Sequence, residues 1–140
     1  MITLIDYGAG NLHSLQGALT RLGFQSVRAV TPADAPEGGT LVLPGVGHFT
    51  AARAALVERG WWDALPPLVA AGRPLLGICL GMQLLAEGSE ESPGASGLGL
   101  MPGISRPGSS TCQYVHWNIS FARWLRRDSW RSGIGPKEDG

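Results

Sequence analysis

Three apolar runs, residues 2–7, 41–43 and 74–78, each close in a glycine-containing turn, and each turn opens onto a segment with helical spacing. Runs with no polar alternation read as strands buried on both faces. Strands of that kind belong to a parallel sheet whose crossovers are helices. After the first run, Gly8-Ala9-Gly10-Asn11 is turn chemistry, with Asn11 suited to cap a helix. Leu12, Leu15, Leu19 and Leu22 follow at helical spacing, and Gly23 is the stop. Residues 24–30 form a further strand candidate, and 31–40, with two prolines and two glycines, a loop. Pro44-Gly45-Val46-Gly47 closes the next strand. Helices are expected over 49–59 and 62–71, the second open to interruption at Pro66-Pro67, and over 80–87, ended by Gly88. The expected fold is therefore α/β: a doubly wound, mostly parallel sheet with helices on both faces. Ligands on such sheets bind beyond the carboxyl ends of the strands. The loops 8–11, 44–48 and 77–81 converge there.

Composition narrows the function classes. The 140 residues suit one domain of ordinary size. Eleven basic residues balance eleven acidic ones, which is not the footprint of a nucleic-acid binder. Two cysteines and three scattered histidines are too few for a structural metal site, and they point to a reducing, cytoplasmic compartment. The most apolar stretch, 64–85, is broken by three prolines and an arginine, so it is no membrane span of about 20 apolar residues. The start of the chain lacks a basic, long-apolar leader. Character changes near Arg106. Residues 1–106 carry six Arg and eight acids, whereas 107–140 carry four Arg, the only Lys, three acids and three of the five Trp.

Gly77-Ile78-Cys79-Leu80-Gly81 has the form of a nucleophile elbow with cysteine at its centre. A nucleophile on a sharp strand-to-helix turn needs small neighbours, because side chains at the flanking positions would collide. The helix start favours the thiolate and leaves the Leu80 N–H to meet a developing oxyanion. The plainer alternative is an inert buried cysteine. Likewise Pro44–Gly47 is either a simple turn or a loop able to bring a second N–H close to a substrate carbonyl.

Taken together, the segments 1–12, 43–47, 74–83 and 98–103 resemble one family. It is the class I, triad-type glutamine amidotransferases, and within it the glutaminase subunits of imidazole glycerol phosphate synthase. The elbow is common to class I. The opening Asp6-Tyr7-Gly8-Ala9-Gly10-Asn11 is what resembles these subunits in particular. The resemblance implies a glutaminase that converts glutamine to glutamate and ammonia through a cysteine thioester, with no cofactor and no metal. Cys79 would be the nucleophile, Leu80 and Gly47 would supply the oxyanion-hole N–H groups, and Gly45, Gly47 and Gln83 would hold glutamine. The partner would be a (β/α)8-barrel cyclase that takes up the ammonia to make imidazole glycerol phosphate and AICAR. Tyr7, Gly8, Gly10 and Asn11 would lie near that contact and the ammonia route. Simpler roles stand beside these: Asn11 as a helix cap, Gln83 as an exposed helix residue. His13 reads as a solvated helix position and His48 as no catalytic group.

The pattern stops near Arg106. The family's remaining triad members sit in a late His-x-Glu pair, and these 140 residues contain none. The expectation is a partial amidotransferase domain over 1–106, its sheet incomplete at the C-terminus, followed by an unrelated tail over 107–140 from truncation or a frameshift. Trp117, Phe121, Trp124 and Leu125 mark a short helix in that tail, and 131–140 a disordered end. His116 and Asn118 superficially complete a Cys-His-Asn set, but nothing in the sequence brings them near Cys79. The alternative to an active glutaminase is thus a catalytically impaired fragment.

Overall fold

The computed structural model describes residues 1–106. A parallel sheet of four strands has the order β2-β1-β3-β4, with β1 at Ile2–Ile5, β2 at Ser26–Ala29, β3 at Thr40–Leu43 and β4 at Leu75–Gly77. The register runs Ile2 to Ser26 and Thr40, and Leu43 to Gly77. The chain steps from β1 outward to β2, then back across β1 to β3. The winding therefore reverses between β1 and β3, and the loops leaving their carboxyl ends part there and open a crevice.

Period-2 alternation sorts the strand residues between two faces. Leu4 and Val42 point to one side and pack with Leu12, Leu15 and Leu19 of helix α1 (Leu12–Arg21). Ile5, Leu41 and Leu43 point to the other. There they meet Phe49 and Leu56 of α2 (Phe49–Glu58), Trp61 and Leu65 of α3 (Trp61–Ala70), and Leu80 and Leu84 of α4 (Leu80–Leu84). Phe49, Leu56, Trp61 and Leu65 are fully buried. Each contributes about 1.5–3 kcal/mol of transfer free energy. The doubly wound expectation is met, with the larger core on the α2–α4 face.

The local signals act as chemistry dictates. Asn11 caps α1, its side chain accepting from the Ser14 N–H at 3.1 Å. Gly23, at φ +82, ends α1 in a Schellman arrangement: its N–H reaches the Thr20 carbonyl and the Phe24 N–H reaches Leu19. Those bonds tie Phe24 to the helix end, so β2 begins at Ser26 rather than at 24.

Two helix expectations need correction. Pro66 and Pro67 do not interrupt α3. They leave the carbonyls of Trp62 and Asp63 without ladder donors, and the buried Trp61 and Leu65 hold the helix against the sheet. Helix α4 ends at Leu84, not at 87. The carbonyls of Leu84, Leu85 and Ala86 instead accept the N–H groups of Leu98, Met101 and Gly99, so a crossing segment terminates the helix. Gly88 lies in a strand. It opens a three-stranded sheet of order β6-β5-β7, with β5 at Gly88–Ser89, β6 at Ser92–Ser96 and β7 at Ile104–Ser105. The sequence reading had no counterpart for this second sheet.

Candidate active site

The elbow takes its shape from main-chain contacts. After β4 ends, the Ile78 N–H still reaches the Leu43 carbonyl at 3.0 Å, which keeps the chain against β3. The backbone then reverses at Cys79, whose φ of 54° and ψ of −121° make it the one non-glycine residue with positive φ among those described. Such a conformation costs of order 1–3 kcal/mol and persists only where neighbours impose it. The Cys79 carbonyl accepts from the N–H groups of Met82 at 2.9 Å and Gln83 at 3.3 Å and so starts α4. The thiol is free and exposed. The two glycines of the motif have distinct reasons. A Cβ at Gly77 would sit 2.6 Å from the Met82 Cα. A Cβ at Gly81 would overlap the Leu43 carbonyl oxygen. The Leu80 N–H, at the first position of α4, has no intrahelical acceptor.

The loop after β3 lies directly on this turn. A Cβ at Gly45 would come 2.6 Å from the Gly81 nitrogen, 2.9 Å from the Leu80 Cβ and 2.9 Å from the Tyr7 hydroxyl. Gly45 is buried, while Val46 and Gly47 are exposed. Gly47, at φ +89, has nothing within 4 Å of the place where a Cβ would stand. The loop thus begins as packed backbone and ends in open space beside the elbow.

The loop after β1 braces the second loop. The Tyr7 hydroxyl donates to the Pro44 carbonyl at 2.9 Å. Its ring is 2% exposed, and burial pushes the phenol up to about 12. A Cβ at Gly10 would lie 3.5 Å from Pro44. Asp6 accepts the Gly8 N–H at 3.2 Å. Of the four residues assigned to a partner contact or an ammonia route, Tyr7 is therefore turned inward, and Gly8 and Asn11 lie at the surface. Tyr7 packs in the same core cluster as Ile5, on the α2–α4 face of the sheet.

Gln83 is half-buried on α4, and its side-chain carbonyl oxygen is buried with no hydrogen-bond partner. His13 is exposed on α1, and His48 is exposed, its Nδ1 2.8 Å from the Thr50 hydroxyl. His116, Asn118, Cys112 and the apolar stripe over 117–125 lie outside the described residues. Among the described residues no three His, Cys, Asp or Glu side chains group to hold a metal ion. Nor is any described helix long and apolar enough to cross a membrane. The arrangement suits acyl transfer: a strained, exposed thiol, backbone N–H groups beside it, and a buried carboxamide oxygen one turn further on.

Known proteins resemble this chain in sequence and in fold. A family model described as glutamine amidotransferase class-I matches residues 3–124. Imidazole glycerol phosphate synthase subunit HisH of Desulfitobacterium hafniense is 44% identical over 120 residues, covering 84% of this chain and 57% of that protein. The subunit HisH of Thermus thermophilus is 46% identical over 116 residues, covering 82% and 59%. The chloroplastic imidazole glycerol phosphate synthase hisHF of Arabidopsis thaliana is 46% identical over 104 residues, covering 74% of this chain and 18% of that one. This chain therefore spans under three fifths of the length of either HisH protein. A solved structure titled as that of a glutamine amidotransferase superposes with a TM-score of 0.67 over 78% of this chain and 59% of the other, at 23% identity. That likeness concerns the fold.

Proposed function

The chain belongs to the class-I glutamine amidotransferase family, and from that premise we propose that it carries the nucleophile half of a glutaminase site. The Cys79 thiolate attacks the side-chain amide carbon of glutamine. The tetrahedral oxyanion is met by the Leu80 N–H and by the loop of Gly45 to Gly47. Collapse releases ammonia and leaves a glutamyl thioester on Cys79, and water then releases glutamate. Gln83, half-buried one turn into α4, helps to hold the substrate. The observation that carries this reading is Cys79 held at φ 54° between two glycines that nothing larger can replace, with Gly45 packed on the same turn.

The likeness to HisH subunits supports a cytoplasmic role in histidine biosynthesis, with ammonia passed to a barrel-shaped cyclase in a heterodimer. The loop of Tyr7, Gly8, Gly10 and Asn11 is assigned to that partner contact and the ammonia route. The plant relative, a hisHF protein of which this chain covers 18%, is in keeping with such a pairing.

A second reading is favoured by one observation. Both thiolate formation and ammonia departure need a proton carrier, and these 140 residues hold no His-x-Glu pair. On that reading the chain acylates slowly and turns over poorly by itself. Glutamate release from glutamine, measured with and without a cyclase, tests both. Release that vanishes in Cys79→Ala supports the glutaminase reading, and release that survives the substitution rejects it. Robust turnover by the 140 residues alone rejects the second reading.

A further inference from the structure

We propose that Tyr7 is a positioning residue for the oxyanion loop: its hydroxyl, held inside the fold, fixes the peptide that joins Pro44 to Gly45 and thereby the loop beside Cys79. The proposal rests on the glutaminase reading for its catalytic consequence, but its geometric part stands alone.

Peptide planarity is the first step. In a trans peptide the carbonyl of one residue and the N–H of the next point in opposite directions. A donor that fixes the Pro44 carbonyl therefore fixes the Gly45 N–H as well. That donor is the Tyr7 hydroxyl, 2.9 Å from the Pro44 oxygen across 37 residues of sequence. The same hydroxyl crowds the Gly45 Cα, since a Cβ there would come within 2.9 Å of it. Tyr7 thus grips the peptide on its carbonyl and on the following carbon. The place of that Cβ also lies 2.6 Å from the Gly81 nitrogen and 2.9 Å from the Leu80 Cβ. The Tyr7 hydroxyl, after β1, and the elbow that follows β4 thus close together on one side of Gly45, while the hydroxyl also holds the Pro44 carbonyl.

Downstream of Gly45, Val46 and Gly47 are exposed, and Gly47 has open space where a side chain would stand. They span the short reach between Gly45 and the buried Phe49 that opens α2. The peptide that Tyr7 holds therefore sets one end of that reach. The hydroxyl keeps its proton throughout the neutral range, because burial opposes the phenolate. Tyr7 itself reaches no substrate in this scheme. It acts by holding a peptide, and the loss of one well-aimed oxyanion donor slows acyl transfer steeply.

Tyr7→Phe in the full chain tests this, since it removes one oxygen and keeps the ring. Amide exchange at the buried Gly45 should quicken about fivefold, the weight of one neutral hydrogen bond, while exchange in β3 stays as it was. In a parent chain that releases glutamate, kcat should fall about tenfold or more with KM within about twofold. Alkylation of Cys79 by iodoacetamide, read at the Cys79 peptide, should not change, because displacement at a saturated carbon builds no oxyanion. Unchanged Gly45 exchange overturns the proposal. So does quicker exchange with an unaltered kcat, an equal fall in alkylation and kcat, or a Tyr7→Phe chain that no longer folds, which would make the hydroxyl a support of the fold rather than of the loop. A parent that releases no glutamate, alone or with a cyclase, overturns the glutaminase reading instead, and Gly45 exchange then decides the clamp.

Discussion

The strand-end loops and the small sheet behind α4 are both built with glycine, to different effect. At the strand ends, Gly45, Gly77 and Gly81 let the loops after β3 and β4 touch through their main chains, beside the strained turn at Cys79. Behind α4, Gly97 also admits a close approach, for a Cβ there would overlap the Ala86 carbonyl oxygen. Yet the strands it serves are only two to five residues long. Met101 anchors the segment in the main core with Leu98 and Leu100, and backbone bonds such as Gly97 N–H to the Glu87 carbonyl do the rest. The first region turns rigidity into chemistry. The second uses the same device to end a helix and cover its tip.

Gly81→Ala should show the largest effect. The new methyl group meets the Leu43 carbonyl oxygen, with its carbon 2.7 Å away, and both belong to the central sheet. Neither side can retreat, so a loss of about 4 kcal/mol or more is expected in denaturant unfolding. Gly97→Ala creates the same kind of overlap, but against a helix end and a short strand that can shift. Its expected loss is about 2 kcal/mol. Equal losses would break the comparison, since the small sheet would then be as constrained as the elbow.

Cys79→Gly sharpens the same point from the other direction. Glycine accepts φ of +54° without strain. The substitution should abolish glutamate release and raise stability by about 1 kcal/mol. Cys79→Ala should abolish release with no such gain, because alanine keeps a Cβ in the strained turn. A stability gain shared by both variants would mean that the cost lies in the thiol rather than in the backbone.

How much was legible follows from which signals side chains carry. The doubly wound sheet could be read because Leu4 and Val42 alternate with Ile5, Leu41 and Leu43, and both sets are apolar. The elbow could be read because Gly77 and Gly81 are the chemistry of the turn itself. The burial of Tyr7 was not legible, because a phenol in a Gly-rich turn carries no hydrophobic period, and only the fold packs it with Ile5. The small sheet was invisible. Its strands contain Ser89, Ser92 and Ser105, only 5%, 7% and 1% exposed, where an apolar pattern would be expected. Ser89 pairs with both of the others across the sheet, so the row is a consequence of backbone pairing that no hydrophobic period announces. The prolines of α3 left its continuity open for a related reason, since propensity weighs the lost ladder bonds and not the buried Trp61 that holds the helix down.

The smallest effect belongs to the surface of the small sheet. Arg106 and Glu90 form an ion pair at 2.9 Å with side chains 70% and 51% exposed. Water and salt screen such a pair, and two long side chains lose entropy in making it. Glu90→Gln should therefore change unfolding by less than about 0.5 kcal/mol and leave glutamate release untouched. Whatever difference appears at low salt should disappear as salt is raised. A loss above about 1 kcal/mol that persists at high salt would mean that side-chain pairing holds β5 to β7. The contrast between a backbone-built sheet and a backbone-built elbow would then lie in charge, not in how freely each can move.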